Sequence, residues 1–219
     1  MPRQARSEVT RRKILTSAVD LFSEIGYSAT GLGDIIERAQ LTKGALYYHF
    51  DSKESLATAI LEEAGASLLS TFRSASGATS PALENIIHGI FVVTDYLNAD
   101  KTARIGMQLL RVFGGFSEAA ERAYGAWLEE LTECTRQASA EGDLQADVNP
   151  DAVAEVIFGS LLGADLLANT ISGESDTRAG MTTTWEILLP AIVSDDSLGY
   201  FREFLAREAL RTPTAYPTQ

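Results

Sequence analysis

The stretch "GLGDIIERAQLTKGALYYHF", Gly31–Phe50, decides the reading of the fold. Leu32, Ile35, Ile36 and Ala39 recur at helical spacing, and "QLT" then breaks the pattern. Thr42 stands where an N-cap belongs, ahead of "KGALYYHF". A short helix, a brief break and a second short helix is helix-turn-helix spacing, in which the second helix enters the major groove of DNA. Many helical hairpins fit that generic pattern, so the residues around it must carry the rest of the argument.

Working outward, the chain is helical on both sides. Ile14, Ala18, Leu21, Phe22 and Ile25 form a one-faced helix that stops near Gly26. Asp51 and Ser52 are cap candidates for a helix over about 52–74, and "RSASGATSP", Arg73–Pro81, reads as a linker. "ALENIIHGIFVVTDYLN" and "TARIGMQLLRVF" are helical, the second ending at Gly114-Gly115. Ala123, Trp127, Leu131, Cys134 and Ala138 share one stripe, closed by Gly142. Asn149-Pro150 is a sharp helix start, an Asn cap followed by Pro at the first position. The helix over 150–171 is apolar nearly all round and so is expected to be buried on most sides. Two more helical segments follow, with Pro190 expected to kink or break one of them. Residues 212–219 read as a disordered tail. No β-alternation of useful length appears, so the expected fold is all-α with nine or ten helices: an N-terminal three-helix head over 1–53 that carries the helix-turn-helix, and a helical body over 75–211, which the family resemblance described below makes a ligand-binding and dimerisation domain.

Composition narrows the function. The chain has 219 residues, a formal net charge of −12, one cysteine and two histidines. The first 53 residues hold eight Lys/Arg against six Asp/Glu, a balance of +2, so the remainder carries −14. A mildly basic head on a strongly acidic body is a reason to look for nucleic acid at the head. Metal sites and catalytic triads need convergent His, Cys and carboxylates, and the pattern offers none, so neither a metal, a cofactor nor an enzymatic activity is expected. His88, between Ile87 and Gly89, reads as a core or pocket-wall histidine. Asp165 interrupts an apolar helix and needs a partner, whether across an interface, within the chain or on a ligand. The lone cysteine and the absence of a signal-peptide pattern point to a reducing cytoplasm, and no apolar run of about 18 residues suggests a membrane span.

The segment "ILTSAVDLFSEIGYSATGLGDIIERAQLTKGALYYHFDSKESLA" resembles the DNA-binding domain of TetR-family transcriptional regulators. The matching positions are Ala18, Leu21-Phe22, Gly26-Tyr27, Thr30, Ile35, Ala39, Lys43-Gly44, Leu46-Tyr47, His49-Phe50, Lys53 and Leu56. Gln40 stands where the family usually has Gly, Ile36 replaces a small residue, and Gly31 takes a place often held by Thr or Ser. The resemblance implies that Lys43 reaches guanine O6/N7. Gly44 and Ala45 would let the helix approach closely, and Tyr47 would donate to a phosphate. Thr30 and Thr42 would bind phosphate at helix N-termini, and Lys53 would make a further phosphate contact. His49 is implied as a phosphate or sugar contact, Tyr48 as either a base contact or core, Phe50 as core, and Arg3 and Arg6 as a flexible arm.

The family resemblance further implies a homodimer on palindromic half-sites of double-stranded operator DNA, joined by a four-helix bundle. Gly159, Gly163 and Trp185 are the interface candidates. In the body, Trp127 in "YGAWLEEL" and Trp185 in "TTTWEILLPAIV" look like the tryptophans of the γ-butyrolactone autoregulator receptor subgroup, where the counterpart of Trp127 lines the ligand pocket. Phe91, Leu110, Phe113, Leu131, Phe158, Leu162 and Asp165 are the accompanying candidates. The implied function is a repressor released from its operator by a small molecule of γ-butyrolactone type. The alternatives are a drug-like or fatty acyl effector, or an all-α small-molecule-binding protein without DNA binding.

Overall fold

The structure is a computed structural model that describes residues 3–77, 81–171 and 176–212. The expected disordered tail lies almost wholly outside the described residues, as does the side chain of Arg3. The all-α expectation is borne out. In chain order the helices are α1 (Arg3–Ile25), α2 (Leu32–Arg38), α3 (Lys43–Tyr47), α4 (Lys53–Ser76), α5 (Ala82–Ala99), α6 (Lys101–Phe113), α7 (Glu118–Ala140), α8 (Pro150–Thr170), α9 (Thr177–Ile192) and α10 (Asp195–Leu210). Arg6 lies inside α1 rather than on a flexible arm.

The chain forms two compact units. The first comprises residues 1–67 and 101–123, the second residues 68–100 and 124–219. Residues 101–123, which the sequence pattern groups with the body, therefore cluster with the N-terminal helices.

In the first unit, Ile14, Ala18 and Phe22 of α1, Ile35 of α2 and its C-cap Ala39, Leu46 and Phe50 around α3, and Leu56 and Ile60 of α4 are buried. Gly26 ends α1 with φ +82°, a left-handed conformation natural to glycine, and its N–H donates to the Phe22 carbonyl at 3.1 Å. Gln40, in the turn between α2 and α3, adopts φ +50° without being glycine. The departure from glycine noted at this position thus falls where the backbone is left-handed, at a cost of about 1 kcal/mol. Helix α6 approaches α4 closely at Gly106. A Cβ there would meet the Ala64 Cβ at 2.1 Å.

In the second unit, Asn149 caps α8 by accepting from the Asp151 N–H at 3.0 Å, with Pro150 at the first turn. Helix α9 passes Pro190 and ends only at Ile192, so the proline sits in its last turn and does not break it. The close approach of α9 to α8 occurs at Gly180, where a Cβ would lie 3.0 Å from that of Ala164. Gly159 and Gly163 have open space before them instead. Arg178 of α9 pairs with Asp95 of α5 at 2.8 Å, lies over the Phe91 ring, and donates to the carbonyls of Glu208 and Arg211 at the end of α10. One guanidinium therefore ties three helices together. The turns 143–145 and 192–194 are joined by the Gln145 N–H to Ile192 carbonyl bond and the Ser194 N–H to Asp143 carbonyl bond, both 2.8 Å.

Gly106→Ala is expected to lower the thermal midpoint by the equivalent of about 1–3 kcal/mol, because the Ala64 Cβ it would strike is fixed to helix backbone and cannot rotate away. Thermal denaturation followed by circular dichroism checks this, with an unchanged midpoint as the contrary result.

Candidate functional site

The first unit places α3 by a few short-range interactions. The Thr42 hydroxyl accepts from the Ala45 N–H at 3.2 Å and caps the helix. Gly31 caps α2 without a side chain, and its N–H donates to the Asp34 carboxylate at 2.8 Å. Leu46 is fully buried and Phe50 nearly so, which fixes the inward face of α3. The outward face then follows from helical register. Thr42, Lys43, Gly44, Tyr47 and Tyr48 are exposed, and Ala45 and His49 are half-buried. Tyr48 is 72% exposed and Tyr47 43%, so Tyr48 is a surface residue and not core. The Lys43 ammonium lies 5.7 Å from the Tyr47 ring centroid, and His49 packs edge-on to Tyr48 at 5.0 Å. The result is a small convex surface with a lysine, two phenols, an imidazole and the free N–H groups of a helix start. Those groups match the donor needs of guanine edges and phosphate oxygens.

Two residues expected on this surface are elsewhere. Thr30 is only 1% exposed, and its hydroxyl donates to the Gly26 carbonyl at 2.8 Å. It closes the α1–α2 loop and does not present its hydroxyl outward. Lys53 donates to the carbonyls of Tyr27 (2.9 Å), Ser28 (3.4 Å) and Thr30 (2.8 Å). It also lies 4.5 Å from the Tyr27 ring centroid. An ammonium has three N–H groups, and here all three face carbonyls, so in this structure Lys53 latches the loop and its N–H groups are already engaged. Sequence shows a lysine at a helix start. It does not show that three carbonyls turn toward it.

In the second unit, Trp127 is stacked on Phe158 with centroids 5.9 Å apart and lies 5.5 Å from the Phe72 ring. Tyr124 meets Phe158 edge-on at 5.8 Å. Trp127, Phe91, Leu131 and Phe158 are buried and Leu162 is half-buried. Leu110 and Phe113 belong to the other compact unit, where Phe113 packs against Tyr27. Phe72 and Tyr124 were missed: Tyr124 stands one turn before Trp127 on α7, a register the sequence shows, whereas Phe72 comes from α4, which carries none of the residues expected around the effector. Asp165 is 3% exposed, and its carboxylate accepts from Asn169 one turn on, at 3.0 Å. A partner within the chain is thus present. Trp185 is 0% exposed and cannot form part of an interface. Its indole N–H has no hydrogen-bond partner among the described residues. An open groove between α9 and α10, lined by Thr182, Glu186, Leu189, Arg202 and Leu205, includes none of the residues expected around the effector.

The remaining reactive groups suit structure better than catalysis. Burial first, then Glu130 and Glu133, push the Cys134 thiol up to about 11, so it is not a thiolate near neutral pH. His88 accepts or donates at 2.9 Å to Glu208, beside Arg211, within the α5–α10 contact. No group of three or more His, Cys, Asp or Glu suited to a metal ion occurs among the described residues, and none of their helices is long and apolar enough to cross a membrane.

A helix-turn-helix head with an exposed second helix, joined in one chain to a helical body, defines a DNA-binding regulator. Residues 14–60 match the family described as bacterial regulatory proteins, tetR family, and residues 111–183 match the tetracyclin repressor-like C-terminal domain. The chain belongs to the TetR family. It is 28% identical over 202 residues to the A-factor receptor protein of Streptomyces griseus, covering 92% of this chain and 70% of that protein. Among solved structures, a gamma-butyrolactone receptor (ArpA-like protein) is 27% identical with a TM-score of 0.79, covering 94% of this chain and all of that one. CprB from Streptomyces coelicolor, in complex with its biological operator sequence, is 28% identical with a TM-score of 0.76 and the same coverage.

Lys53→Met is expected to lower the thermal midpoint by the equivalent of about 1–2 kcal/mol, since three carbonyls lose a charged donor but can be rehydrated. The slope of log K against log salt for DNA binding should stay at the wild-type value. A flatter slope with an unchanged midpoint would return Lys53 to the phosphate contacts.

Proposed function

We propose that this protein is a homodimeric transcriptional repressor that leaves its operator when a small lactone-bearing molecule enters the body. The observation that carries the DNA half is the exposed surface Thr42–His49, held in place by buried Leu46 and Phe50. In this reading Lys43 contacts a guanine edge, Tyr47 and Thr42 contact phosphates, and Tyr48 and His49 reach the neighbouring backbone or base edges. The small Gly44 and half-buried Ala45 keep the helix close to the groove floor.

The second copy seats on the outer face of α8, where Val156, Leu166 and Leu167 are exposed beside Gly159 and Gly163, with Ile187 exposed on α9. The open space before both glycines suits a helix from the partner. Two heads are then presented to two half-sites about one helical turn or more apart.

The effector reading rests on the Trp127–Phe158–Phe72 cluster and on the likeness to γ-butyrolactone receptors. Stacked aromatic rings offer a broad apolar wall to an alkyl-substituted lactone. The buried, unpartnered N–H of Trp185 suits a carbonyl oxygen brought by the ligand. The ligand releases DNA only by binding more tightly to the conformation in which the heads do not fit the operator.

Two measurements test this reading. Lys43→Ala and Tyr47→Ala should each weaken binding to a duplex selected from a random pool by about 1–3 kcal/mol, and Lys43→Ala should also relax base preference; unchanged affinity in both overturns the recognition surface. In calorimetry against a panel of alkyl γ-butyrolactones, the wild type should bind at least one member and Trp127→Ala should bind it at least tenfold more weakly. A wild type that binds none of them overturns the effector class.

A further inference from the structure

Helix α1 carries a feature that the recognition surface alone does not explain. Its inward stripe runs Phe22, Ala18, Ile14, all buried. Continued at the same spacing toward the N-terminus, the stripe becomes Arg11, Ser7 and Gln4. The core therefore ends at Ile14, yet Arg11 and Ser7 remain half-buried because the helix still lies beside the rest of the unit. The Arg11 guanidinium sits 5.6 Å from the centroid of Phe50, the residue that closes the α3 segment after Tyr47, Tyr48 and His49. The guanidinium is thus held over the ring that anchors the recognition helix, and no hydrogen bond or ion pair among the described residues takes up its N–H groups.

The ion pairs of this unit sharpen the point. Arg38 pairs with Glu24 at 2.7 Å, Lys101 with Asp20 at 2.6 Å, and Arg122 with Glu62 at 2.9 Å. Arg6, Arg11, Arg12, Lys13 and Lys43 make no ion pair among the described residues. Glu8, the carboxylate nearest in sequence to the α1 cations, and Glu37 and Asp51, which flank Lys43, do not pair with them either. Among the described residues, Arg6, Arg11, Arg12 and Lys13 of α1 and Lys43 of α3 are thus left without an ion pair.

We propose that Arg11, with Ser7 and Gln4 beyond it on the same face of α1, is a second DNA-contacting element that holds a backbone phosphodiester next to the α3 recognition surface. The guanidinium takes the phosphate oxygens through its paired N–H groups, and the shorter polar side chains extend the contact along the strand. Such a contact is independent of base sequence: it sets the angle at which α3 meets the groove. The inference rests on the DNA-binding reading of the head.

Because a phosphate contact needs no particular operator, the probe is a short random-sequence duplex, titrated by fluorescence anisotropy over a range of salt concentrations. A duplex selected from a random pool serves beside it. Arg11→Met keeps an unbranched apolar side chain beside Phe50 and removes the charge, and Arg11→Lys restores the charge. Arg11→Met should weaken binding several-fold on both duplexes alike, with the slope of log K against log salt flatter by about one per protomer. Arg11→Lys should recover the wild-type slope, and the thermal midpoint of Arg11→Met should stay near wild type. An unchanged slope in Arg11→Met, or an equal loss in Arg11→Lys, overturns the proposal while leaving the recognition helix intact if Lys43→Ala still relaxes base preference. A wild type that binds neither duplex overturns the DNA-binding reading and this inference together.

Discussion

A recognition helix of five residues cannot hold itself together, and the first unit is organised around that constraint. Nucleating a turn fixes several backbone angles for one hydrogen bond, so a segment as short as Lys43–Tyr47 is helical only where its surroundings require it. Thr42 satisfies an N-terminal donor, Leu46 and Phe50 bury the inward face, and the Arg11 guanidinium lies over the Phe50 ring. On the other side the 27–30 loop, which delivers the chain into α2, is clamped by the Lys53 ammonium and the Thr30 hydroxyl. The side chains free to meet DNA are those these restraints leave outside. Gln40 fits the same account. A left-handed residue is tolerated in the turn because the packing of Ile35, Ala39 and Leu46 fixes the path of the chain on both sides.

The second unit meets a different demand. It must bury a large apolar content while its helices carry many carboxylates, and it does so by concentrating charge compensation at a few places. Arg178 satisfies Asp95 and the final carbonyls of α10 together. Burial raises the Asp95 carboxyl while the arginine beside it works in the opposite direction, so the pair holds position more than it adds stability. Glu84 is raised by burial as well, and one of its oxygens has no partner. The apolar residues that α8 leaves outside, among them Leu166 and Leu167, are the surface such a unit would hide against a second copy.

Much of this was legible in the sequence because it is local. Helical spacing gave the element types, Gly26 and Gly142 marked left-handed closures, and Asn149-Pro150 marked the start of α8. What was not legible depends on which neighbour covers a given face. The stripe of Lys101–Phe113 announces that one side is buried, but nothing in it says that the cover is α1 and α4, with Gly106 against Ala64. Trp185 sits on an apolar helix that offered both core and interface, and only its complete burial decides between them. Lys53 and Thr30 were placed by analogy of position, and Gly26 marks where α1 stops without showing which carbonyls of the 26–30 loop will engage them. Arg11 was legible in principle: an arginine continues the stripe of Ile14 and Ala18 where one more apolar residue would extend the core.

The acidity of the chain then ceases to argue against DNA. Charges in salt solution act over about 8 Å, so a phosphate responds to the cations within a turn or two of helix and little to the sum over the protein. Net charge, −12 here, describes solubility and general repulsion from polyanions. Local pairing describes binding. In the first unit Glu24, Asp20 and Glu62 pair with Arg38, Lys101 and Arg122, and among the described residues Lys43 of α3 and Arg6, Arg11, Arg12 and Lys13 of α1 have no ion pair. An acidic protein arranged in this way should bind DNA only where several of these cations meet phosphates together. General repulsion removes the weak encounters and so favours contacts that several cations make together.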